Sequence, residues 1–99
     1  MIKLVEVCEL LKASKSAQQQ FTLREIFINP KHVVSLREEP SYAQKLKEGR
    51  LPGELDSRQR FTRLTLDRGQ VGLDVIVVGS ANMIESKMRM NGEKHVLHD

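Results

Sequence analysis

The chain reads as an α+β domain: a small antiparallel five-stranded sheet, or half-open barrel, with a C-terminal helix and a short helical insertion. Three observations predict it. Short runs rich in β-branched and aromatic residues recur along the 99 residues, bounded by Pro, Gly and Asn turn signals. Val71, Leu73, Val75 and Val77 keep a strict alternation, the mark of a strand with a buried face. After Gly79-Ser80 the spacing becomes helical, with Ala81, Ile84 and Met88 recurring on one side. A chain of this length makes one domain, placed at residues 1–92, with a flexible tail over 93–99.

Residues 1–12 fit both helical and strand spacing, and their β-branched content and position favour a strand. Residues 13–20, small and polar, read as a loop. Phe21 to Ile28 is a strand whose apolar residues fall on both parities: Phe21, Leu23 and Phe27 on one, Ile26 and Ile28 on the other. A bulge near Arg24-Glu25, or burial on both faces, would reconcile them. Asn29-Pro30-Lys31 is a turn, and His32 to Glu38 returns as the next strand, ended by Pro40. Ser41 is placed to cap a short helix, with Gln44 at capping-box spacing, Tyr42 and Leu46 on its inner stripe and Gly49 as its stop.

Leu51-Pro52-Gly53 signals a turn, and residues 54–60 are mostly charged. The whole segment 39–60 is either a surface excursion docked by Tyr42 and Leu46 or a partner-binding insertion. Phe61 to Leu66 alternates with Leu64 and Leu66 inward, and Asp67-Arg68-Gly69 is a hairpin loop. In the strand that follows, Val71, Leu73, Val75 and Val77 form the core face and Asp74 is exposed. Ile76 and Val78 imply that its end is covered on both sides. Ser80 caps a helix over 81–91, Glu85 and Arg89 pair along it, and Gly92 stops it.

Composition narrows the function. Sixteen Lys+Arg against 13 Asp+Glu give a net charge of +3, a solubility charge without the dense basic stripe of a dedicated nucleic-acid module. Four aromatics and no Trp are few for a base-stacking platform. One cysteine excludes a disulfide scaffold and fits a reducing compartment, and no apolar run is long enough to span a membrane. With no signal peptide evident at the start, the expected location is cytoplasmic.

No grouping reaches the standard of a catalytic, cofactor or metal site. His95-x-x-His98-Asp99 has ligand types at a metal spacing, but on a tail, where a solvated terminus is the simpler reading. Cys8, among Val7, Leu10 and Leu11, reads as a small buried hydrophobe, and His32 as a surface residue at a strand start. Val78-Gly79-Ser80 reads as a turn plus helix cap, not a phosphate loop. Arg58, Arg60, Arg63 and Arg68 form the one basic concentration and are the candidate nucleic-acid contacts, though strand alternation divides them between two faces.

In its order of elements the chain resembles the small flagellar FlbD-like proteins. The resemblance rests on Met1-Ile2-Lys3-Leu4, the Ile28-Asn29-Pro30 turn, the strand after His32, Thr62-x-Leu64-Thr65-Leu66-x-x-Gly69, and the strand that runs through Gly79-Ser80 into a helix. It implies a non-enzymatic accessory role and carries no catalytic residues. Residues 12–20 and 39–60 are longer than that pattern, which leaves room for an accessory protein of a tailed bacteriophage.

The function expected is therefore that of a non-catalytic accessory or regulatory protein, without cofactor, acting by protein–protein contact and as a homo-oligomer. Tyr42, Leu46 and Leu51 are the candidate partner contacts. On this reading, deleting residues 40–57 leaves the sheet folded and abolishes partner binding. The alternative is a small-barrel nucleic-acid-binding module using the four arginines.

Overall fold

A computed structural model describes residues 1–10, 20–68 and 71–97. The predicted loop 13–20 falls almost wholly outside them, as do Gly69, His98 and Asp99. The elements run β1 (Ile2–Glu9), β2 (Phe21–Ile28), a 3-10 turn (Pro30–His32), β3 (Val33–Glu38), α1 (Pro40–Lys47), β4 (Phe61–Arg68), β5 (Val71–Val78) and α2 (Ala81–Leu97). The strands form one open sheet in the order β2-β1-β5-β4-β3, so the α+β class is the one observed.

β1–β2, β3–β4 and β4–β5 are antiparallel ladders, whereas β1 meets β5 through the single registered pair Glu6↔Val77. The two edge strands, β2 and β3, are consecutive in the chain. Only the steps from Ile28 to Val33 connect them, a reach of about 18 Å at full extension. A flat sheet would hold its edges about 19 Å apart, and this connection spends part of its reach on a turn. The sheet is therefore coiled. Asn29 fixes the turn by accepting a hydrogen bond at Oδ1 from the Lys31 amide, 3.0 Å.

Two hydrophobic cores lie on opposite faces of this sheet. The first joins Leu4, Ile28, Leu64, Leu66, Val75 and Val77 to Ile84 of α2, with Ile26, Leu36 and Met88 around them. The second joins Val7, Phe21, Phe61 and Ile76 to Leu51, with Tyr42, Leu46 and Leu55 laid over them. Alternation accounts for the division: Ile26 and Ile28 face α2, while Phe21 and Leu23 face α1. β2 thus resolves its mixed parity by burial on both faces, and its ladder to β1 is unbroken from Ile2↔Ile28 to Glu9↔Phe21. The one shift in register lies in β3, between Val33 and Ser35.

Some boundaries differ from expectation. α1 starts at Pro40, with Glu39 rather than Ser41 in the capping position, because Pro at the first helical position needs no amide partner. Ser41 instead donates from Oγ to Glu39 Oε2 at 2.9 Å. The helix ends as predicted on Gly49 (φ 75°), where Gly49 N–H donates to Leu46 O and Arg50 N–H to Lys45 O. Asp67 and Arg68 belong to β4 rather than to the hairpin loop.

α2 is capped as expected, Ser80 Oγ accepting from the Met83 amide at 3.2 Å. It continues through Gly92, the expected stop, to Leu97. Glycine in a helix interior costs only about 1 kcal/mol, too little to impose a stop by itself.

Gly79 joins β5 to α2 at φ 130°, a backbone conformation that side chains disfavour. Its carbonyl accepts from buried Thr62 Oγ1 at 2.8 Å, and its amide donates to Arg60 O at 2.8 Å. The junction is thereby clamped to the start of β4, and α2 leaves the sheet in one direction.

Candidate functional site

The segment 39–60 is mostly built into the protein. Tyr42 stacks edge-on against Phe21 (centroids 5.5 Å apart) and tilts against Phe61 (6.1 Å). Burial pushes the Tyr42 hydroxyl pKa up. Leu51 is buried at 3% exposure, and Leu46 packs beside it. Arg50 fastens the excursion to the start of β2: its carbonyl accepts from Gln20 N–H, and its Nε donates to Gln20 Oε1 at 2.7 Å. The residues expected to meet a partner, Tyr42, Leu46 and Leu51, are thus spent largely on the second core.

Three of the four arginines lie against carboxylates. Arg58 pairs with Asp56 (3.5 Å) and Arg60 with Glu38 (3.1 Å) at the start of α2, where Glu38 also accepts from the Ala81 amide. Arg63, on the other face, donates to Glu39 (2.6 Å) and Asp74 (3.1 Å). Arg68 stands opposite Val71 on the backbone ladder, and its side chain lies outside the described residues.

Hydrogen bonds from Arg63, then from Ser41, hold the Glu39 carboxyl below the usual carboxylate range. A depressed folded-state pKa stabilises the protein fully above the unfolded value, and that contribution is lost as pH falls through the folded value. We therefore expect Glu39→Gln to lower the thermal midpoint at pH 7. Its curve should converge on that of the unmodified protein from about pH 5 downward. Parallel curves across that range would remove Glu39 as the acid-sensitive group.

The structure gathers a different set of residues. At one end of the sheet a cleft of about 640 Å³ is lined by Met1, Ile26, Phe27, Ile28, Asn29, His32, Leu66, Asp67 and Leu73. Its lining is mixed, six apolar residues with Asn29, His32 and Asp67 as polar groups. On its rim Met1 is 78%, Phe27 63% and Leu73 42% exposed. Phe27 is outside because it alternates with inward Ile26 and Ile28, in the half of β2 that faces α2.

Leu73 shares the parity of buried Val75 and Val77 but lies beyond the cover of α2, which packs chiefly on β1, β3 and β4. Its place on the predicted core face is corrected accordingly. Phe27 stays exposed although it shares the parity of Phe21 and Leu23. The available signal was the parity conflict inside β2.

Among the described residues no group of three or more His, Cys, Asp and Glu could hold a metal ion, and no helix is long and apolar enough to cross a membrane. Cys8 is half-buried rather than buried, and desolvation followed by the Glu6 carboxylate raises its thiol pKa, opposite to what a nucleophile requires. No family model, curated protein or solved structure matches the chain.

Proposed function

We propose that this protein is a non-catalytic accessory or regulatory module that works by contact with another protein, made at the cleft around Phe27 and Leu73. One observation carries the reading. Of the four aromatic residues, Phe21, Tyr42 and Phe61 pack together, while Phe27 is left 63% exposed in the lining of the cleft. An exposed ring in a cleft also lined by Met1 and Leu73 offers an anchor of the kind that dominates protein interfaces. The same role is what the resemblance to FlbD-like proteins implies. A nucleic-acid role has less support, because Arg58, Arg60 and Arg63 each lie against a carboxylate that offsets their charge.

Both rim residues are exposed, so Phe27→Asp combined with Leu73→Glu should change the melting temperature little while removing a partner cross-linked to the unmodified protein in its source cell. A folded variant that still cross-links to the same partner would sink the reading. The candidate insertion contacts act through the fold instead, so their substitution should lower stability first.

A further inference from the structure

We propose that the cleft around Phe27 takes a segment of another protein that presents an apolar side chain and a basic one together, the basic group meeting Asp67. The assignment rests on the protein-contact reading and names the partner's chemistry. Apolar lining alone would accept many occupants, so charge decides among them.

Asp67 is the one carboxylate in the lining. It is exposed, and among the described residues no ammonium or guanidinium pairs with it, the amino group of Met1 included. Cations on the same face are already committed. Lys3, cross-strand from Phe27, is held by Glu25 at 3.1 Å, and Arg63, farther back along β4, is shared between Glu39 and Asp74.

Register puts ring and carboxylate on one side of the sheet. Ile26, Ile28 and Leu66 belong to the first core, so their strand neighbours Phe27 and Asp67 both face away from α2. That face is covered by α1 only at its other end, where Tyr42 lies on Phe21 and Phe61. Across the ladder Asp67 stands opposite Gly72, which has no side chain. A Cβ added at Gly72 would meet nothing nearer than Leu66 O at 4.0 Å. The β5 side of the carboxylate is therefore open to an incoming group.

An apolar side chain entering the cleft buries surface against Phe27. The stem of a neighbouring Lys or Arg can lie along the ring with its charge at Asp67. A neutral or acidic segment would instead strip water from the carboxylate and leave it unpaired, which is unfavourable.

The test immobilises the intact protein and selects binders from a phage-displayed library of random short peptides. The unmodified protein should enrich Lys or Arg close to a bulky apolar residue. Asp67→Lys should exchange that basic preference for Asp or Glu, and Phe27→Ser should lose the apolar one. A selected peptide should shift the amide resonances of Phe27, Asp67 and Gly72. It should bind Asp67→Asn about twofold to fivefold more weakly, a difference that fades as salt is raised. Because Asp67 is exposed and unpaired, both of its variants should keep the melting temperature.

Apolar peptides enriched without a basic residue, a preference unchanged in Asp67→Lys, or no enrichment would each overturn the proposal. So would a dimer in light scattering that dissociates in Asp67→Lys, since the occupant would then be a second copy. If Asp67→Lys keeps the cross-linked partner that the Phe27/Leu73 variant loses, only the charge assignment falls. If the Phe27/Leu73 variant keeps it, the contact reading itself falls.

Discussion

Removing residues 40–57 should cost the protein its cooperative fold, the reverse of what the sequence suggests. Glu38 and Thr62 are cross-strand partners, and Glu39 N–H already donates to Phe61 O. A short loop of Glu39 and Arg58 to Arg60 can therefore join β3 to β4 without displacing either strand. What disappears is the cover of the second core: Tyr42, Leu46, Leu51 and Leu55 over Val7, Phe21, Phe61 and Ile76.

Allowing for partial burial, losing those four side chains amounts to about 4–10 kcal/mol at roughly 1.5–3 kcal/mol for each fully buried one. A domain of this size has a total stability of only about 5–15 kcal/mol. Denaturant titration should show a broad, non-cooperative transition and dye-binding apolar surface at the start. A deletion variant that unfolds at the unmodified midpoint would refute the account. Leu51→Ala is the graded form and should cost about 2–5 kcal/mol.

The second large effect is expected at Gly79. A Cβ there would press on Met83 Cε and stand 3.1 Å from Ile84 Cδ1, the residue that anchors α2 in the first core. The φ of 130° adds backbone strain that repacking cannot relieve. Together these should make Gly79→Ala destabilising by about 2–5 kcal/mol. Met83 is 43% exposed and flexible, so adding Met83→Ala should recover the steric part and leave the backbone part. Full recovery in the double variant would show that φ contributes nothing. No recovery would show that the methionine was never in the way.

Much of the framework was legible because it is local. Ile2 to Glu9, Phe21 to Ile28 and Val71 to Val78 announce themselves by β-branched content and flanking turns, and Ser80 and Gly49 by the backbone groups they satisfy. The candidate site was not legible, because it depends on how far a distant element reaches. Alternation puts Leu73 on the same face as Val75 and Val77, but only the path of α2 decides which of the three is covered. Tyr42 and Leu46 were correctly read as an apolar stripe. Whether such a stripe serves a partner or the chain's own Phe21 and Phe61 turns on long-range packing that periodicity does not encode. The carboxylates beside Arg60 and Arg63 were not legible for a similar reason: Glu38, Glu39 and Asp74 arrive from other strands and loops.

The seam between β1 and β5 bears on how the chain finds this structure. On one side stands the β1–β2 pair and on the other the β3–β4–β5 meander, each made of strands adjacent in sequence. Backbone pairing between them is confined to Glu6 and Val77. Each half can close its own loops before the two meet, so little chain entropy is spent on remote pairings at once. The joining step is then chiefly side-chain docking, Leu4 and Val7 of one half against Val75, Ile76 and Val77 of the other. Amide hydrogen exchange is expected to resolve two protected units, one on each side of this seam, with the earliest opening between them.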